Sequence, residues 1–143
     1  MLDTIKSSGL ELYYCVEPIG PEHSYEEIAD EIIRSRDYEA DVMAVMKRVC
    51  VPGTALCGRG EINSDEQTKI CAVTELCVKP RRAMGVHEPD RKSLRSGANQ
   101  IYAEVSVNPR DLSLKTETSR GASVSKAEDM LKETGWAHHR KLH

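Results

Sequence analysis

The spacing of apolar positions changes along the chain, and each change marks an element. Met1 to Ser8 has a helical pattern stopped by Gly9, and Leu10 to Val16 is then a short apolar, aromatic-rich run leading to Pro18-Ile-Gly-Pro21. Ser24-Tyr-Glu-Glu27 fits a capping box, and Ile28, Ile32 and Ile33 follow at helical spacing, which predicts a helix to about Arg36. Asp41 to Val51 predicts a strand. Its alternation puts Met46, Arg48 and Cys50 on one face and Val45, Lys47, Val49 and Val51 on the other. Pro52-Gly53-Thr54 closes it with a turn.

Ser64-Asp-Glu-Gln67 predicts a second capped helix with Ile70, Val73, Leu76 and Cys77 as its buried stripe, ending at Pro80. Ala83 to His87 is a short strand, Lys92 to Ser96 a short helix ended by Gly97, and Gln100 to Val105 the last strand. Ser106 to Ala122 is polar and broken by Pro and Gly, which predicts a long loop. Ser125-Lys-Ala-Glu128 opens a final helix stopped by Gly135, with Trp136 placed to pack back on it, and 137–143 is expected to be a flexible tail. Strands alternating with helices predict an α/β fold with a parallel sheet and right-handed crossovers. In such a sheet functional groups collect at the carboxyl ends of the strands.

At 143 residues the chain makes one domain, short of the ~250 residues of a complete eight-stranded α/β barrel, so any barrel reading is partial. The sequence opens in the middle of an α/β repeat, so preceding elements are expected to be lost or to lie on another chain. A net charge of −3, with basic and acidic residues interspersed and few aromatics, argues against nucleic acid as a partner. No apolar run approaches the ~18 residues of a membrane span and no signal peptide opens the chain, so no membrane partner and a cytoplasmic location are expected. Cys15, Cys50, Cys57, Cys71 and Cys77 are odd in number, which predicts reduced thiols or metal ligands rather than a disulfide framework.

Four strand ends carry candidate chemistry: Cys15 to Glu17, Cys50 to Thr54, His87-Glu88, and Glu104. Two readings fit them. The rim binds a metal cluster or clamps a carboxylated ligand, or else Cys15 and Cys50 are core thiols, Arg48 pairs with Glu104 and His87 is a satisfied turn residue. Neither Cys50-x6-Cys57 nor Cys71-x5-Cys77 has a familiar metal spacing, and Cys71 and Cys77 lie about 240° apart around a helix. No phosphate loop or nucleophile elbow is present, and Cys15 with His87 lacks a local oxyanion hole, so hydrolysis is not expected.

Four ordered segments carry a family resemblance: Gly9-Leu-Glu-Leu-Tyr-Tyr-Cys-Val-Glu-Pro-Ile-Gly-Pro-Glu-His23, Met46-Lys-Arg-Val-Cys-Val-Pro-Gly-Thr-Ala-Leu56, Ile70-Cys-Ala-Val-Thr74, and Ser96-Gly-Ala-Asn-Gln-Ile-Tyr-Ala-Glu-Val-Ser-Val-Asn-Pro-Arg-Asp111. They resemble the C-terminal half of biotin synthase-like radical S-adenosylmethionine proteins of an archaeal type. The resemblance covers residues 1–136, with the biotin and thiamin synthesis associated region at about 40–135. It implies the last four βα units of a (β/α)8 TIM-type barrel. In that family a [4Fe-4S] cluster cleaves S-adenosylmethionine to methionine and a 5′-deoxyadenosyl radical that abstracts a substrate hydrogen. The Cys-x3-Cys-x2-Cys motif that holds the cluster is absent here.

By resemblance, Cys15, Glu17, Ile19, Val51 and Pro52 fall at cofactor-binding positions, and Met46, Arg48, His87, Asn99 and Glu104 line the substrate cavity. Biotin synthase also holds a [2Fe-2S] cluster, to which Cys15 would be the candidate ligand, although aligning Gly9 sets it one residue late and aligning Gly20 sets Tyr14 in its place. The cluster's arginine has no counterpart, with His87 only nearby. The resemblance thus implies one wall of a cofactor and small-molecule cavity, inactive alone. The implied partner is an N-terminal half-barrel chain or a second copy. The alternative is a non-catalytic relic or binding module of the same fold, and a further option is a zinc or iron-sulfur chain using Cys15, Cys50 and His87.

Overall fold

The computed structural model describes residues 1–103 and 123–136. Its elements are α1 (Leu2–Ser8), β1 (Tyr13–Ile19), α2 (Tyr25–Asp37), β2 (Val42–Lys47), a 3-10 turn at Cys57–Arg59, α3 (Ser64–Val78), β3 (Ala83–His87), α4 (Arg91–Arg95), β4 (Gln100–Ile101) and α5 (Val124–Glu133). The strands form one sheet in the order β1-β2-β3-β4, and every neighbouring pair is parallel. Spatial order equals chain order, so each crossover advances by one strand in the same direction.

One face of the sheet makes the core. Val16, Met43, Val45, Met84 and Val86 meet Ile28 and Ile32 of α2, Ile70 and Cys71 of α3, Leu94 of α4 and Met130 of α5. Met43, Val45, Met84 and Val86 are fully buried, as expected for central strands under a helical layer. At the amino edge Asp41 ties two strands together, because its carboxylate accepts the Leu12 N–H at 2.8 Å and its own N–H donates to the Leu12 carbonyl at 2.9 Å. Arg81 pairs with the same carboxylate.

Local signals place the helix ends. Ser24 Oγ accepts the Glu27 N–H at 3.2 Å and Glu27 Oε2 accepts the Ser24 N–H at 2.8 Å, a complete capping box. The second helix is capped one residue earlier than expected, by Asn63, whose Oδ1 accepts the Glu66 N–H. The last is likewise capped by Ser123, not Ser125. It ends in a Schellman motif: Trp136 N–H donates to the Leu131 carbonyl and Gly135 N–H to that of Lys132, with Gly135 at φ +87°. The Trp136 indole then reaches α4, donating to the Leu94 carbonyl at 3.0 Å.

Several expectations change. β1 starts at Tyr13 and runs on to Ile19, leaving Leu10 exposed, and β2 stops at Lys47, so Val49 to Val51 lie in the following loop. Ile33 is exposed. The buried stripe of α3 is Gln67, Ile70, Cys71 and Thr74, while Val73 and Leu76 face outward. Two polar residues on the inner face disguise the stripe, because helical periodicity is read from apolar residues alone. Cys50 and Cys57 form a disulfide, correcting the expectation that all five cysteines are reduced thiols or ligands. The two lie at opposite ends of a tight loop, a closeness that spacing does not reveal. The continuation of the last strand to Val105, the loop at 106–122, Glu104 and the tail at 137–143 lie outside the described residues. Among the described residues no helix is long and apolar enough to cross a membrane.

Candidate functional site

The second face of the sheet has a different character. Alternation sets Cys15 and Glu17 of β1, Ala44 and Met46 of β2, Gly85 and His87 of β3, and Gln100 with the adjoining Tyr102 on this side. The register places Cys15 beside Ala44, Ala44 beside Gly85 and Met46 beside His87. Two very small residues thus form the floor at the centre. Tyr102 lies over it, and a Cβ on Gly85 would stand only 2.9 Å from the Tyr102 hydroxyl oxygen. Glycine at this position is what lets the phenol sit on the strand.

His87 is held from two directions at the carboxyl end of β3. Its imidazole stacks on the Tyr102 ring, centroids 3.9 Å apart and planes 12° from parallel. Its backbone carbonyl accepts the Gln67 Nε2 of α3 at 2.6 Å, so a wholly buried amide ties the helix to the strand end. With the ring positioned in this way, Cys15, Glu17 and His87 come together. One ligand atom from each lies within 4.8 Å of the other two. Burial pushes the Cys15 thiol well above its ordinary pKa, and the Glu17 carboxylate that accepts its hydrogen bond pushes it further. Burial and the Glu17 hydrogen bond thus keep Cys15 as a protonated thiol.

Arg48 is turned elsewhere. Its guanidinium forms a two-pronged pair with Glu22, with Nη2 to Oε2 at 3.0 Å, and Nη2 also donates to the Gly60 carbonyl at 2.8 Å. Only 8% of the side chain is exposed, and it lies so close over Gly20 that a Cβ there would collide with it. Among the described residues the acidic partner of Arg48 is Glu22, and Glu104, its partner in one reading of the sequence, lies outside them. The hydrogen bond from Arg48 holds the Glu22 carboxyl down to about 2. This arginine locks the loop after β1 to the loop before α3, and its charge is already matched.

The other expected positions scatter. Asn99 precedes β4 at the amino edge, where its Oδ1 accepts the Met84 N–H at 2.9 Å, away from the carboxyl rim. Ile19 is buried in the core, Val51 is half-buried and Pro52 is exposed in the turn. Ile19 also forms part of the floor of a crevice of about 340 Å³ beside α2, together with Glu17, His23, Glu31 and Arg34. Cys50 is committed to its disulfide and is not part of the Cys15 and His87 group. Cys71 lies in the core under the helices, its thiol pushed up to about 12 by burial, and Cys77 is on the same helix. The free thiols are thus divided between the two sides of the sheet, and three thiolates for a [4Fe-4S] cluster do not assemble.

Sequence reasoning overlooked Tyr102, Gly85, Gln67 and Glu22. Gly85 in mid-strand was a signal for close approach of another group, and Tyr102 falls at even spacing from Gln100 on the same face. Neither Gln67 nor Glu22 had a local signal, since each acts on a residue distant in sequence. No family model matches the sequence, and no curated protein matches it.

Proposed function

We propose that the chain is the C-terminal half of a (β/α)8 barrel of the biotin synthase-like radical S-adenosylmethionine type, forming one wall of its cofactor and substrate cavity. The observation that carries this is the winding: four parallel strands in chain order, with the described helices on one face. A doubly wound sheet reverses its strand order at a switch point and puts helices on both faces. A singly wound sheet is the arrangement of a barrel wall, whose inner face is lined by alternate residues of each strand. Cys15, Glu17, Met46, His87 and Tyr102 share the sheet face opposite the core helices, which would be the inner face in this reading, with Glu17 and His87 towards the carboxyl ends of their strands.

The donor set of this chain does not fit a [4Fe-4S] cluster, so no residue here is assigned to radical generation. Instead the chain shapes and closes a small-molecule cavity, with Met46 and the stacked His87 and Tyr102 as its surface. Cluster and S-adenosylmethionine would be supplied from a complementary half carrying Cys-x3-Cys-x2-Cys. A binding module of the same fold is the second reading, favoured by the division of the free thiols between the two faces of the sheet.

Anaerobic co-expression with a complementary half, followed by cluster reconstitution, tests the proposal. A stable complex that forms 5′-deoxyadenosine and methionine is the expected result. Association without either product leaves the binding module. Failure to associate at all rejects the half-barrel.

A further inference from the structure

We propose that Cys15, Glu17 and His87 form a binding site for a single borderline divalent cation of the Zn2+ class. This stands on the geometry of the three side chains and does not depend on the barrel reading. Their donors are a sulfur, a carboxylate oxygen and an imidazole nitrogen, all within 4.8 Å of one another. Bond lengths of about 2.0–2.3 Å place tetrahedral donors roughly 3.4 Å apart, so a modest inward movement completes the set. That movement is available, because the Glu17 side chain is exposed and already turned to Cys15, and the floor between β1 and β3 is only Ala44.

Support around the donors suits a metal site. Cys15 and Glu17 project from one strand at i and i+2 and His87 from another with β2 between them, so the sheet fixes their separation. Stacking on Tyr102 restrains the imidazole, and the Gln67 bond to the His87 carbonyl anchors the strand end. Mixed sulfur, nitrogen and oxygen donors select Zn2+, Co2+ or Fe2+ over Mg2+ or Ca2+, which prefer oxygen alone. Binding displaces the thiol proton of Cys15 to solvent, and thiolate plus carboxylate then neutralise the dication. Three protein donors leave the fourth position to water or to an oxygen of a small molecule, the arrangement of an open rather than a structural zinc site.

The test uses the full chain, stripped with chelator and titrated with Co2+, whose thiolate charge-transfer absorption reports a Co–S bond. One equivalent should bind with that absorption and be displaced by Zn2+. Cys15→Ser should abolish the absorption. Glu17→Gln, at an exposed position that leaves the fold intact, and His87→Gln should each weaken binding by more than roughly tenfold, since even indirect partners are worth that much. The absorption should persist in Cys50→Ser/Cys57→Ser and in His138→Gln/His139→Gln, the latter removing an adjacent histidine pair near the end of the sequence that could take up metal by itself. Circular dichroism confirms that each variant is folded. Co2+ uptake without the absorption, or an absorption retained by Cys15→Ser and lost with Cys50 and Cys57 or with the tail histidines, would overturn the proposal.

Discussion

Arg48 and Glu22 are joined prong to prong, and the arginine is buried at the point where the loop after β1 meets the loop before α3. The pair joins segments 26 residues apart, and its guanidinium occupies the space that Gly20 leaves open. Its electrostatic consequence can be measured. Glu22 has an ordinary pKa of 4.5 and is held at about 2 by Arg48. Between these values the unfolded chain takes up a proton that the folded chain refuses, so stability falls as pH drops through the interval. Urea midpoints measured from neutral pH downward should decline less steeply below 4.5 in Glu22→Gln than in the parent. Parallel declines would show that the pair does not govern acid sensitivity.

Tyr102 has a buried hydroxyl with no hydrogen-bond partner among the described residues, above a glycine. Removing an unsatisfied buried group relieves a desolvation cost of about 1–3 kcal/mol. Tyr102→Phe should therefore match or exceed the parent in thermal stability. Gly85→Val should do the reverse, because its side chain would fill the space of the phenol and push Tyr102 off His87. A His87 ring environment, followed by NMR, that is unchanged in Gly85→Val would count against the stacking.

Met43 and Met84 are fully buried on adjacent strands, whereas Leu76 is 73% exposed on α3. Met43→Ala or Met84→Ala should cost about 2–5 kcal/mol by denaturant titration, through lost burial and a residual cavity. Leu76→Ala should stay within about 0.5 kcal/mol of the parent. The contrast checks which side of α3 faces the sheet.

Thiol labelling without reductant should find three reactive groups after unfolding, because Cys50 and Cys57 are joined. In the folded chain Cys77 should react first. Cys71, wholly buried and with its thiol near 12, should react only on global opening, and Cys15 should lag because burial and Glu17 keep it protonated. Five labelled thiols would show Cys50 and Cys57 reduced.

The order of elements was legible because it depends on short-range signals. Gly9 adopts the left-handed φ of +72° that ends α1, Ser24 and Glu27 cap α2 as their spacing predicts, and Ala83–His87 is the strand its alternation predicts. Signals failed where polar residues face inward. Gln67 and Thr74 are buried on α3 because the His87 carbonyl takes the Gln67 Nε2 donor and the Ile70 carbonyl takes the Thr74 hydroxyl, so the apolar stripe looked as though it lay on Val73 and Leu76. Strand limits also moved, because pairing with β2 decides where β1 ends and local propensity does not.

The sequence alone determined that this is a parallel α/β chain and that Cys15, Glu17 and His87 belong at strand ends. Period-two and period-3.6 patterns encode which residues share a face and where elements stop. Tertiary structure decided which strand ends meet. Register brought Cys15 and Glu17 within reach of His87 across the small floor of Ala44 and Gly85, took Arg48 away to Glu22, and joined Cys50 to Cys57. Those outcomes depend on distances between segments tens of residues apart, which packing sets and local pattern does not record.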